Sequence, residues 1–207
     1  MKKTLFIAFE GIDGSGKSTQ AAKLYQRLKK LGHLVHNTCE PTGGPIGKLI
    51  RAAFTGKARF NDKTIAGLFV ADRLEHILNE DNGMKKMIST GHTVICDRYY
   101  FSSYAYQGGF TSLDWVIEAN ALSASLLKPD VTIFIDVKPA ESMQRIRANR
   151  STTELYETLE NLERVRSFYL QSFDRLKDEE QIFITDGSLP PDQVEDNIWQ
   201  KIETLLA

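Results

Sequence analysis

An α/β fold, with a parallel sheet covered by helices on both faces, is predicted by three features of the sequence. Short apolar runs recur at Leu5–Phe9, Leu34–Thr38, Thr93–Cys96, Val131–Ile135 and Gln181–Thr185. Longer segments with helical periodicity separate them. The first run leads directly into a glycine-rich turn. Runs this short and this apolar suit strands buried on both faces, and strands alternating with helices build a parallel sheet.

The first run follows Met1-Lys2-Lys3-Thr4 and so imitates the start of a secretory signal. Glu10 ends it well short of the roughly 7–15 apolar residues of such a signal, or the about 20 of a membrane span. It is read as a strand, and the chain as cytoplasmic with no membrane partner. The first helix aligns Ala21, Leu24, Tyr25, Leu28 and Leu31, and Gly32 is placed to stop it. The second run gives way to a turn-rich loop, Glu40–Gly47, and then a short helical pattern carrying Arg51. A long helix follows Asn61 and Asp62, with a predicted core stripe of Ala66, Val70, Leu74 and Ile77. Later helices are predicted over about Ser112–Leu127 before Pro129, from Pro139, from Leu155 to about Lys177, and from Pro191 onward. No repeat or linker divides the 207 residues, of which 42% are hydrophobic, enough for the core of a single domain.

The net charge of −1 lacks the basic excess of a nucleic-acid-binding surface. The two cysteines, Cys39 and Cys96, match neither a zinc pattern nor a disulfide framework. Cys96 lies within an apolar run and is expected to be buried; Cys39 fits a reduced compartment.

The strongest chemical signal is Gly11-Ile12-Asp13-Gly14-Ser15-Gly16-Lys17-Ser18, followed by Thr19. It satisfies G-x-x-x-x-G-K-[ST] and has the required setting, after a strand and at the start of an amphipathic helix. Glycines let the backbone curl so that its N–H groups converge on phosphate oxygens, and the helix N-terminus adds positive potential. Lys17 would bridge the β- and γ-phosphates of ATP, and the Ser18 hydroxyl would ligate Mg²⁺. A P-loop site also needs an acid at the end of a neighbouring strand, to orient the metal directly or through water. Asp97 and Asp136 both end apolar runs; Asp97 is preferred because Arg98 follows it and could clamp phosphate oxygens.

Neither a guanine-reading Asn-Lys-x-Asp motif nor the length of a mechanical ATPase is present. A small kinase needs an acceptor site between the P-loop and the Asp97 strand, and candidates lie there. Phe69 and Arg73 are four apart on one helix face, one position off the predicted core stripe. An aromatic face beside a fork of donors suits a pyrimidine monophosphate. After Arg98, the segment Tyr99–Gly109 combines rings for stacking with Ser103 and Gln107 for a base edge.

Phe9–Gln20, Glu40-Pro41-Thr42, Leu68-Phe69-x-Ala71-Asp72-Arg73, Asp97-Arg98-Tyr99 and Ala105-Tyr106-Gln107-Gly108 together resemble the thymidylate kinase family. The similarity continues through Pro129-Asp130 to the arginine-rich segment before residue 155, in the same order over most of the chain. The resemblance implies the three-layer α/β/α P-loop kinase fold with a five-stranded parallel sheet, and a homodimer. It implies transfer of the γ-phosphoryl group of ATP to dTMP. Glu40 and Pro41 would belong to the acceptor site. Asp13 would lie near the 3′-hydroxyl, with Arg51 and Arg98 on the acceptor phosphate. Phe69 would stack on thymine, Arg73 would reach its carbonyl, Ser103 and Gln107 would contact the base, and Tyr106 would crowd the 2′ position.

Two departures from the family pattern stand out. Cys39 occupies the place, directly before Glu-Pro, where many bacterial members carry arginine. The lid, expected at about 145–155, looks short. Because the P-loop holds Ser15 where some members carry a catalytic arginine, the catalytic cation is expected from the lid, as Arg147 or Arg150; Arg145 is the weaker candidate. Two other readings stay open here: a small P-loop kinase for another monophosphate or for a deoxynucleoside, and a nucleotide-binding module without transferase activity.

Overall fold

The computed structural model describes residues 2–149 and 158–207. From β1 (Phe6–Glu10) the chain runs through α1 (Lys17–Lys30), β2 (Leu34–Cys39), α2 (Pro45–Phe54) and α3 (Asp62–Leu78). It continues with α4 (Met84–Ser89), β3 (His92–Asp97), α5 (Tyr100–Gln107), α6 (Leu113–Leu126) and β4 (Val131–Asp136). The last elements are α7 (Pro139–Asn149), α8 (Leu159–Leu176), β5 (Ile182–Asp186) and α9 (Pro191–Leu206). The five strands form one parallel sheet in the order β2-β3-β1-β4-β5.

Alternation along the strands explains the three layers. Leu5, Ile7, Phe9, Ile133 and Ile135 meet Ala21, Leu24 and Leu28 of α1 and Val194, Ile198 and Ile202 of α9. Phe6, Ala8, Cys96 and Phe134 point the other way, into a core completed by α5 and α8. The central strands β1, β3 and β4 are buried on both faces, as their composition predicts. The outer strands are not: Leu34 of β2 is 57% exposed and Ile184 of β5 is 49% exposed. An edge strand has one neighbour and less helix above it, which a short apolar run does not reveal.

The helix signals translate into observed caps. Asn61 caps α3 by accepting from Lys63 N, and Gly32 adopts φ 76° just past the end of α1. The strands, by contrast, end one residue later than predicted, at Glu10, Cys39, Asp97, Asp136 and Asp186. In four of the five a carboxylate ends the apolar run, but backbone pairing continues through it.

The predicted face of α3 needs correction. Ala66 and Ile77 are buried, but Val70 and Leu74 are half-buried, while Phe69, Asp72, Arg73 and His76 sit on the deep side. That side looks into a polar network rather than a hydrocarbon core, so apolar spacing pointed to the wrong stripe. Among the described residues, no helix is long and apolar enough to cross a membrane.

Candidate active site

The C-terminal ends of β1 and β3 carry the site, beside the point where chain connections leave β1 and β3 toward opposite sides of the sheet. Gly14 takes φ 77°, and a Cβ there would fall 2.8 Å from the Ser142 carbonyl oxygen of α7. Only glycine meets both the left-handed backbone and the close approach. Gly16, at φ 94°, is the N-cap of α1 and supplies no side-chain cap, so the first-turn amides of that 14-residue helix remain available to an anion. These residues line a cavity of ≈ 670 Å³ together with Lys17, Ser18, Thr19 and Asp97.

Lys17 is only 6% exposed and donates to the Ile12 carbonyl oxygen at 3.1 Å. Burial, then the nearby Arg98 charge, pushes its pKa down to about 8. Ser18 Oγ donates to Asp97 Oδ2, and Asp97 Oδ1 is buried without a hydrogen-bond partner among the described residues. A hydroxyl beside an unsatisfied carboxylate oxygen is the hard-oxygen donor set that suits Mg²⁺. Asp136, the competing acid, is instead held by Arg166 through two bonds of 2.7 Å.

A second cavity, of ≈ 300 Å³, lies between α2, α3 and α5 and shares Asp13, Glu40 and Arg98 with the first. Pro41, Arg51, Phe69, Arg73, Tyr106 and Gln107 also line it. Phe69 packs at 6.0 Å, centroid to centroid, on Phe54 of α2. Gln107 Oε1 is buried with no partner among the described residues, so an acceptor is left facing inward. Arg51 donates to the Pro41 and Thr42 carbonyl oxygens.

Arg73 is 1% exposed and thoroughly engaged. It donates to Glu40 from Nε at 2.9 Å, to Asn120, and from both terminal nitrogens to Ser103 Oγ at 3.2 Å. Ser103 thus reaches the cavity only through Arg73. Glu40 also meets His76 Nδ1 at 3.0 Å, while His76 Nε2 lies 2.7 Å from Thr38 Oγ1. Glu40, His76 and Cys96 bring ligand atoms within 4.8 Å of one another. With Arg73 already balancing the carboxylate, they form a polar core network rather than a cation site.

Arg98 stands where the two cavities meet. Its backbone takes φ 72°, left-handed and the one positive φ outside glycine among the described residues. Nη2 donates to Asp13 Oδ1 and, at 3.2 Å, to the Tyr106 hydroxyl, which itself donates to Asp13 Oδ2 at 2.8 Å. Burial alone would raise the Asp13 pKa, but the charges of Arg98 and Lys17 outweigh it and hold the carboxyl below its ordinary value. Glu10, fully buried, keeps a raised pKa because burial outweighs its hydrogen bonds from Ser102 and Tyr169.

The structure therefore gathers the P-loop, Asp97, Arg98, the Glu40-Pro41 turn and the α3 and α5 residues into two joined cavities. Of the two predicted lid arginines, only Arg147 falls among the described residues, and it is not gathered with them. Residues 145–149 form the end of α7, Arg147 is exposed there, and Arg150 lies outside the described residues. Arg145, the weaker candidate, lines the larger cavity and donates to the Gly187 carbonyl oxygen at 2.8 Å. Cys39 also lines that cavity, in register with Asp97. Sequence reasoning missed Glu10, His76, Asn120 and Tyr169. His76, Asn120 and Tyr169 belong to no local motif; Glu10 lies in the Phe9–Gln20 motif but its contact with Tyr169 spans 159 positions.

A family model described as Thymidylate kinase matches residues 9–198. The thymidylate kinase of Thermomicrobium roseum is 36% identical over 205 residues, 97% of this chain and 95% of its own. A probable thymidylate kinase of Thermococcus kodakarensis is 37% identical over 211 residues, covering 98% of each chain. The thymidylate kinase of Xylella fastidiosa strain 9a5c is 40% identical over 168 residues, 80% of this chain and 77% of its own.

Proposed function

The chain belongs to the thymidylate kinase family, and from that premise we propose how its residues carry the γ-phosphoryl group of ATP to dTMP, giving dTDP and ADP. The observation that carries the reading is the joining of the two cavities at Asp13 and Arg98. One is walled by main-chain amides and Lys17 for a polyphosphate, the other by Phe69 and Gln107 for a base. A phosphate group on the base-side ligand then meets the end of the polyphosphate at Arg98.

ATP lies along residues 11–19, with its terminal phosphates on Lys17. Ser18 and Asp97 would hold Mg²⁺, which neutralises charge on the polyphosphate oxygens when bound. Arg98 and Arg51 hold the acceptor phosphate; for Arg51 this means leaving the carbonyls of Pro41 and Thr42. Phe69 stacks on the base and Gln107 meets its edge. Since Ser103 Oγ is shared by two Arg73 N–H groups, one of them can turn to a base carbonyl at little cost. Asp13 and Tyr106 border the sugar, where a 2′-hydroxyl would crowd Tyr106. Lid residues, with Arg147 or Arg150, close over the transferring group and exclude water. The acceptor phosphate oxygen is itself a competent nucleophile at neutral pH, so positioning and charge carry the catalysis.

A panel of acceptors with ATP tests this reading: dTMP, dUMP, UMP, AMP and thymidine. dTMP should give the fastest ADP release, and faster turnover of thymidine would overturn it. Phe69→Leu sharpens the test, because Phe69→Ala would also strip a buried ring worth about 3–5 kcal/mol of stability. The leucine variant should raise the dTMP KM about tenfold or more and move the ATP KM less than about twofold. The reverse pattern would remove Phe69 from the acceptor site.

A homodimer is supported by apolar side chains left exposed on α3 and α6, two helices that pack against each other. Leu78 is 50% and Leu122 is 56% exposed, beside the half-buried Val70 and Leu74. A second copy would cover this apolar surface. Sedimentation should give twice the chain mass, and Leu122→Asp should shift it toward the monomer; a monomeric parent protein would end the idea. The two free cysteines fit a cytoplasmic setting.

A further inference from the structure

Glu10 is fully buried, at the end of β1, one residue before the P-loop. Each of its oxygens accepts two hydrogen bonds. Oε1 takes the amides of Tyr99 at 2.8 Å and Ser102 at 3.1 Å. Oε2 takes the hydroxyls of Ser102 at 2.6 Å and Tyr169 at 2.8 Å. A carboxylate buried at the head of a phosphate cradle opposes anion binding by its charge, so its retention calls for a compensating task.

That task is visible in what surrounds Arg98. Tyr99 is the N-cap residue of α5 and supplies no side-chain cap, and Ser102 lies in the first turn. Glu10 caps this helix from the neighbouring strand. On the other side of the turn, Arg98 N donates to the Phe9 carbonyl oxygen at 2.9 Å. Two successive residues of β1 thus grip the left-handed Arg98 from both sides. The side chain, paired directly with Asp13 through Nη2, is reached by the Glu10 carboxylate through two hydroxyls. With their hydrogens turned to Glu10, the Ser102 and Tyr169 hydroxyls offer lone pairs to Arg98 Nη1, at 3.0 and 3.5 Å. Only a group that accepts at both oxygens can cap the helix and orient both hydroxyls together.

We propose that Glu10 is a positioning residue, which fixes the Arg98 guanidinium at the meeting of the two cavities through Ser102, Tyr169 and the first turn of α5. The proposal rests on the reading that Arg98 binds the acceptor phosphate. The discriminating quantity is therefore the affinity for dTMP relative to thymidine, which lacks that phosphate, measured by titration calorimetry on the full chain.

In Glu10→Gln the carbonyl oxygen can still accept the two amides. The new NH₂ group donates, so both hydroxyls must turn their hydrogens elsewhere. Hydrogen bonds to charged groups suggest a loss of about ten- to a hundredfold in dTMP affinity, with thymidine affinity changed less than about twofold. Tyr169→Phe keeps the ring volume and removes one of the two hydroxyls; it should lower dTMP affinity severalfold and again spare thymidine. Because it leaves the carboxylate in place, it keeps the test open if the glutamine variant does not fold. Combined, the two changes should lose less than the product of their separate effects.

Arg98→Ala is the control for the underlying reading. If it removes the preference for dTMP over thymidine while Glu10→Gln and Tyr169→Phe retain the parent preference, Glu10 has no positioning role and the reading of Arg98 stands. If Arg98→Ala leaves the preference intact, the reading itself fails and the proposal with it. Equal losses for dTMP and thymidine in Glu10→Gln would mark a general structural role and overturn the proposal.

Discussion

Lys17→Ala is expected to lower kcat/KM by about 10³ or more while leaving the chain folded. The amine is buried in the phosphate cavity, where a cation acts in a low-dielectric, water-poor setting and where negative charge moves during transfer. Stability should move the other way, or not at all. The folded-state pKa is pushed down to about 8, first by burial and then by Arg98. A lysine whose pKa falls on folding adds stability above its unfolded value and loses that contribution as pH drops through the folded one. At neutral pH the ammonium is therefore a cost to the empty protein, and alanine should keep or raise the melting temperature. The same shift predicts a pH dependence. Polyphosphate favours the ammonium, so the free protein must recover a proton to bind ATP above pH about 8. ATP affinity should weaken there, by up to about tenfold per pH unit, and Lys17→Arg should flatten that limb because arginine stays charged. Steady-state kinetics, thermal melts and ATP titrations from pH 7 to about 9.5 check these outcomes. Near-normal turnover in Lys17→Ala would refute the cradle assignment.

Alanine substitutions at Arg147 and Arg150 are expected to be very unequal, one lowering kcat by about 10³–10⁵ and the other mild. An arginine finger acts on charge that develops only in the transition state, so the loss should fall on kcat with KM values little changed. Arg147 is exposed at the end of α7, as a residue that swings in on closure would be, and Arg150 is its partner in the arginine-rich segment. Single-turnover measurements with saturating ATP and dTMP isolate the chemical step. Two mild effects would move the catalytic cation elsewhere, with Arg145 the next candidate because it already lines the phosphate cavity.

The strands, their order of appearance and the P-loop could be read from the sequence because each is local. A run of apolar residues, a glycine pattern and a following helix lie within about 20 residues of one another, and each signal has its own physical cause. The acceptor residues could be read only in part. Phe69 and Arg73 share one helix face, as their spacing predicts, and both line the smaller cavity, but the deep side of α3 is theirs and not the apolar stripe beside it, because α3 turns its polar side inward toward Glu40, Ser103 and Asn120. Apolar spacing finds a hydrocarbon core and is blind to a buried polar one. The aromatic segment after Arg98 also divides: Tyr106 lines the smaller cavity, Tyr100, Phe101 and Tyr104 fill the core completed by α5 and α8, and Tyr99 does both.

By itself the sequence determined that this chain has a glycine-rich turn at the head of a helix, an acid at the end of a neighbouring strand, and the composition of a parallel sheet. These rest on interactions between near neighbours, which a linear text records. The tertiary structure alone decided that Glu10, Ser102, Tyr169 and Arg98 form one network, that Arg73 is bound to Glu40 and Asn120, and that the two cavities meet at Asp13 and Arg98. Those contacts join residues far apart in the chain, and the burial that makes each hydrogen bond matter exists only once sheet and helices have closed around it.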